Sequence, residues 1–133
     1  MPNQPFFTGR IIKGSGKGST LGIPTLNLDL ADIPSDVEEG IYAARVVIAD
    51  KSFDAAVHYG ERSVHGLPRS FEAHLLTWNE ELSMKDEEYV SIEIVKRLRD
   101  VRNFETEEEL KKQIERDIDE AKIILKTLRP RDT

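Results

Sequence analysis

The sequence predicts a mainly β chain: a six-stranded, closed antiparallel, Greek-key-like β-barrel followed by one long C-terminal α-helix. Two observations carry that prediction. Six stretches rich in β-branched and aromatic residues are separated by short Gly-, Pro-, Asn- and Asp-containing turns. Beyond residue 105 the apolar period changes to three or four residues. No internal repeat or second domain is visible, so residues 1–133 are read as one domain, with the barrel at about 5–98 and the helix at about 106–128.

The first strand is expected over residues 5–13, where Phe6, Phe7, Ile11 and Ile12 are β-formers interrupted by Gly9. A glycine-rich loop follows, and residues 25–30 form the second strand, with Leu26, Leu28 and Leu30 pointing into a core. Residues 31–39 hold Pro34 and four acids and form a loop or short turn. Residues 41–48 are apolar at nearly every position, as expected of a strand covered on both faces. Asp50-Lys51 turns the chain into a return strand over 53–59, and residues 60–70, punctuated by Gly60, Gly66 and Pro68, read as a mobile loop. Residues 71–78 make the fifth strand, with Phe71, Ala73 and Leu75 on one face and Glu72, His74 and Leu76 on the other. In residues 89–95 Val90, Ile92 and Ile94 alternate inward. Thr106 and Glu109 form a capping box, and Leu110, Ile114, Ile118, Ala121, Leu125 and Leu128 make the apolar stripe of a helix about 30 Å long.

Composition narrows the function. A chain that is 38% hydrophobic and 33% charged suits a soluble globular protein. No apolar run reaches membrane-spanning length, and the first residues lack a signal peptide's pattern. Zero cysteines exclude disulfides and thiolate metal sites, in keeping with the cytoplasm. The net charge of −6 argues against a nucleic-acid or anionic-membrane partner. Residues 1–28 nevertheless contain Arg10, Lys13 and Lys17 and no acid, a +3 segment that suits a small anionic ligand.

That basic segment holds the stretch most suited to chemistry. Gly14, Gly16 and Gly18 let the backbone of residues 14–18 turn tightly and present N–H groups to a phosphate, with Ser15 and Lys17 among them. The spacing fits neither G-x-x-x-x-G-K-[ST] nor G-x-G-x-x-G. A glycine-rich turn between strands, with no ligand, satisfies the same pattern. Pro24 then precedes Thr25 and Asn27, whose side chains share one strand face and offer a hard-oxygen site suited to Mg²⁺. Ordinary strand-end hydrogen bonding is the alternative for either residue alone. Glu72 lies in an otherwise apolar and aromatic strand, where a carboxylate needs a cleft, a partner or a solvent-facing side. His58, His65 and His74 lack metal-site spacing and are read as structural or cleft-lining.

The run Gly22-Ile23-Pro24-Thr25-Leu26-Asn27 behind a glycine-rich loop resembles the flavokinase (riboflavin kinase) family, whose hallmark is such a loop followed by G-[FI]-P-T-A-N. Phe71-Glu72-Ala73-His74 is similar to the family's [LM]-E-[VT]-H, and Leu98 to Phe104 to its L-R-[PD]-E-x-x-F segment. The resemblance implies a riboflavin kinase-like barrel that transfers the γ-phosphate of ATP to the riboflavin 5′-hydroxyl, giving FMN and ADP. It assigns Glu72 as catalytic base, Thr25 and Asn27 as Mg²⁺ ligands, residues 14–18 as the ATP-phosphate cradle, and Arg99 and Phe104 as flavin-side residues. Without the resemblance, Phe104 reads as a hydrophobic staple for the helix and Arg99 as a surface charge. With no separate nucleotidyltransferase domain, FMN rather than FAD is the expected product, made by a monomer.

The chain departs from the family pattern at Val101, where a glutamate is usual, at Ser63, where a proline is usual, and at residues 82–85, where a Y-G is usual. These departures motivate a rival: a non-catalytic flavin- or nucleotide-sensing module on the same barrel. A barrel binding single-stranded nucleic acid is a weaker rival, opposed by the acidic charge.

Overall fold

Alternation along each strand sends every second side chain inward, and six such strands close on themselves. The computed structural model describes residues 6–12, 25–48, 50–62, 67–77, 89–102 and 104–128. The strands are β1 (Phe6–Ile12), β2 (Thr25–Leu28), β3 (Gly40–Ile48), β4 (Lys51–Arg62), β5 (Leu67–Leu75) and β6 (Tyr89–Arg99). They pair in the order β1-β2-β5-β4-β3-β6, with β6 returning to β1, and every pairing is antiparallel. The closed antiparallel barrel read from the sequence is therefore the observed one, and closure leaves none of the six described strands as an open edge for another chain.

The interior is filled from all six strands, by Phe7, Leu28, Val46, Val57, Phe71, Leu75 and Ile92 among others. Phe71 sits at its centre, edge-on to Phe7 with ring centroids 5.8 Å apart and tilted against Tyr59 at 5.5 Å.

Outside the barrel lies α1 (Glu107–Thr127). Thr106 caps it: its Oγ1 accepts the Glu109 N–H at 3.1 Å, and Glu107, Glu108 and Glu109 occupy the positive first turn. Ile118, Ala121 and Leu125 bury against Ala43 of β3 and Ala56 of β4. Small methyls on those two strands let the helix approach closely. That explains why β3 reads as apolar on both faces: one side is barrel interior, the other is helix.

Arg45 fastens the far end of α1. It is 5% exposed on the outer face of β3, and its Nη2 donates to the carbonyls of Leu125 at 3.2 Å and Leu128 at 2.5 Å. It thereby satisfies carbonyls that the helix terminus leaves without intrahelical partners. Arg45→Ala is expected to destabilise the protein by about 2–3 kcal/mol, the scale of hydrogen bonds to a charged group, measurable by urea unfolding.

Several sequence-based boundaries shift. β2 stops at Leu28, and Leu30 opens a short 3₁₀ turn (Leu30–Asp32) capped by Asp29, so it is exposed rather than core. β4 runs on through Gly60 to Arg62 and β5 begins at Leu67, so only the middle of the expected 60–70 loop lies between them. β5 ends at Leu75, and Trp78 lies outside the described residues. β6 continues four residues past Val95, to Arg99. Strand pairing outweighs local turn preference in each extension. Among the described residues, no helix is long and apolar enough to cross a membrane.

Candidate functional site

Register decides which polar residues meet. β2 pairs with β5 so that Thr25 lies opposite His74 and Asn27 opposite Glu72. β5 pairs with β4 so that Glu72 lies opposite His58 and Ser70 opposite Gly60. Leu26, Phe71, Ala73, Val57 and Tyr59 on the same strands point inward. Thr25, Asn27, Ser70, Glu72, His74 and His58 consequently share the outer face, where directly opposed residues have Cβ atoms about 4.5–5.5 Å apart.

Glu72 is only 3% exposed although it lies outside the barrel. A buried carboxylate requires polar partners, and the Ser70 hydroxyl donates to its Oε2 at 3.0 Å. Thr25 and Asn27 are half-buried. The Thr25 hydroxyl and His74 Nδ1 are hydrogen-bonded at 2.9 Å, which orients the oxygen. A threonine hydroxyl and an asparagine amide are hard, neutral oxygen donors, chemically suited to Mg²⁺ that also takes oxygens from a substrate phosphate. Among the described residues, no cluster of three or more His, Asp or Glu could hold a metal ion.

The chain leaving β6 crosses beside this face. Gly60 has φ +146°, and a Cβ at that position would meet Val101 Cγ2 at 2.7 Å and Glu39 Oε1 at 3.2 Å. Gly60 thus supplies both the backbone conformation and the space that let residue 101 close over β4, next to Ser70. Gly60→Ala is expected to cost about 1–3 kcal/mol of stability through backbone strain alone, seen as a lowered unfolding midpoint. Around that crossing Arg97 Nη1 holds Asp100 Oδ1 at 2.7 Å and its Nη2 donates to Glu39 O at 2.6 Å. Arg69 pairs with Glu39 at 2.5 Å and donates to the Tyr59 hydroxyl at 3.1 Å. The Asp100 carboxylate moves the Arg97 guanidinium further into its protonated range. Burial pushes the neighbouring Tyr42 phenol above its usual range, against the opposing pull of Arg97. Its hydroxyl donates to Glu38 O.

Of the flavin-side expectations, Phe104 is half-buried, with the Arg102 guanidinium 5.7 Å from its ring centroid. Arg99 is not a loose surface charge. Its Nε and Nη2 donate to both carboxylate oxygens of Asp117 on α1, at 2.9 and 2.7 Å. Sequence reading missed Asp117, because the charged residues near it (Glu115, Arg116, Asp119 and Glu120) made its helix position look solvent-facing; it is 4% exposed. The expected ATP-phosphate cradle (Gly14, Ser15, Gly16, Lys17 and Gly18) and His65 lie outside the described residues.

The chain matches a family model described as flavokinase, riboflavin kinase, over residues 1–125. It is similar to mouse riboflavin kinase, 33% identical over 130 residues that cover 92% of this chain and 82% of the mouse protein. It is also similar to the Escherichia coli (strain K12) bifunctional riboflavin kinase/FMN adenylyltransferase, 33% identical over 117 residues, 86% of this chain. The chain spans about 36% of the length of the bifunctional bacterial relatives it matches. A solved riboflavin kinase from Trypanosoma brucei shares the fold, with a TM-score of 0.60 at 20% identity over 96% of this chain and 84% of that one.

Proposed function

This chain belongs to the riboflavin kinase family, and from that premise we propose that it transfers the γ-phosphate of ATP to the riboflavin 5′-hydroxyl, giving FMN and ADP. The observation that supports this best is the register pair Asn27–Glu72, which sets an oxygen donor beside a buried carboxylate on one face. Phosphoryl transfer asks mainly for in-line positioning and neutralised charge.

In this reading Glu72 accepts the proton of the attacking 5′-hydroxyl, and Ser70 holds the carboxylate through Oε2. Thr25 and Asn27 would hold Mg²⁺, which when bound neutralises charge building on the transferred phosphoryl group. His74 fixes the Thr25 hydroxyl from the neighbouring strand. Residues 14–18, with Lys17, bind the ATP phosphates. Phe104, on the segment that begins at Arg99, supplies an apolar ring face for the flat isoalloxazine. The protein works as a cytoplasmic monomer with no nucleic-acid or membrane partner.

The test is incubation of the purified protein with riboflavin, ATP and MgCl₂ and chromatographic detection of FMN. FMN formation that requires all three supports the assignment. Riboflavin binding without turnover would replace it with the non-catalytic sensor suggested by Val101 and the other departures.

A further inference from the structure

We propose that Asp117, in the middle of α1, is a positioning residue for the flavin side of the site, acting through Arg99 on residues 100–104. This deepens the kinase reading above and rests on it. The contact is two-pronged: Arg99 Nε to Asp117 Oδ1 at 2.9 Å and Nη2 to Oδ2 at 2.7 Å. Such a fork fixes the plane of the guanidinium as well as its distance. Both ends are then braced. Gln113 Nε2 donates to Asp117 Oδ1 at 3.1 Å, and Arg99 Nη1 donates to the carbonyl of Asp100 at 2.9 Å. Asp117 is buried and Arg99 half-buried, with the side chains 6% and 17% exposed.

A buried ion pair is weak evidence for added stability, because desolvation offsets much of the attraction. Nor does docking of the helix depend on it alone: the apolar contact of Ile118, Ala121 and Leu125 with Ala43 and Ala56 already holds α1 to the barrel. What the pair adds is position. Arg99 is the last residue of β6, and the next residues are gripped one after another. Asp100 is held by Arg97, and Val101 Cγ2 lies 2.7 Å from where a Gly60 Cβ would be. Gly60 is the register partner of Ser70, which bonds Glu72. The line Asp117–Arg99–Asp100–Val101–Gly60–Ser70–Glu72 thus joins the helix to the proposed base through direct neighbours. Arg99 serves the flavin side by aiming the segment that carries Phe104.

A double-mutant cycle with Arg99→Ala and Asp117→Asn tests this, reading riboflavin KM, ATP KM, kcat, and riboflavin Kd from quenching of its fluorescence. All measurements are made well below the lowest melting temperature of the set. Each single variant is expected to raise the riboflavin KM and Kd at least about tenfold, within the range a misplaced positioning group costs. The ATP KM should stay within about twofold, and the double variant should be no worse than the worse single one. Asp117→Glu, which keeps the charge, should recover part of the loss; it also stands in if Asp117→Asn fails to fold. A lowered melting temperature with unchanged riboflavin constants would reduce the pair to a structural tie and overturn the proposal. Wild-type flavin affinity in Asp117→Asn, with loss confined to Arg99→Ala, would make Arg99 a direct flavin contact and overturn it too. If the wild type binds riboflavin but makes no FMN, the kinase reading fails while the Kd values still decide this proposal. A wild type that does not bind riboflavin overturns both.

Discussion

Glu72→Gln is expected to lower FMN formation at least about 10²-fold while leaving ATP binding intact, the loss typical of a removed general base. The substitution keeps the size of the side chain and an oxygen able to accept the Ser70 hydroxyl, now at 3.0 Å from Oε2. It removes the group that takes a proton. Because Glu72 is buried outside the barrel between Asn27 and His58, the variant should also be no less stable than the parent. A neutral amide there carries no ionic desolvation cost. Steady-state rates with saturating riboflavin and ATP, together with a melting curve, check both halves. Turnover within a few-fold of the parent would remove Glu72 from the mechanism.

The second large effect is expected at the oxygen donor across the strand. Asn27→Leu keeps roughly the same volume on the outer face of β2 but deletes the amide oxygen. The MgCl₂ concentration giving half the maximal rate should rise about 10–100-fold, the scale seen even for groups that only support a metal ligand. The riboflavin KM should move little, since the flavin-side residues come from the end of β6 and the chain after it. Titrating MgCl₂ at fixed, saturating ATP makes the measurement. An unchanged midpoint would take Asn27 out of the metal site and leave the Thr25–His74 hydrogen bond as ordinary cross-strand structure.

What could be read before the structure followed from periodicity. Alternation at Val90, Ile92 and Ile94 identified the inward face, and the three-to-four spacing of Ile118, Ala121 and Leu125 identified the helix stripe. Thr106 was recognisable because a cap needs only its own next turn. Spacing could place Thr25 with Asn27 on one face, and Glu72 with His74 on another. That these are the same face depends on β2 lying against β5, some 45 residues later, and a strand carries no record of its partner. The strand extensions through Gly60 and from Leu67 were hidden for the opposite reason. Locally, glycine and proline say turn, and only the ladder says otherwise. Asp117 was invisible as a buried charge because it looked like one more polar residue on a helix rich in them, and nothing local to β3 says that its one charged residue, Arg45, meets a helix end some 80 residues later.

The six strands close into an unbroken hoop of hydrogen bonds. Each strand of this ring is clasped on both sides, so the wall carrying Asn27 and Glu72 cannot widen to admit a substrate without tearing a ladder apart. The wall behaves as an anvil of set width. Accommodation of a nucleotide and a bulky tricycle must therefore come from what drapes over it, and amide exchange in β2 and β5 should keep its pace when ligands arrive while that of residues 100–104 slows.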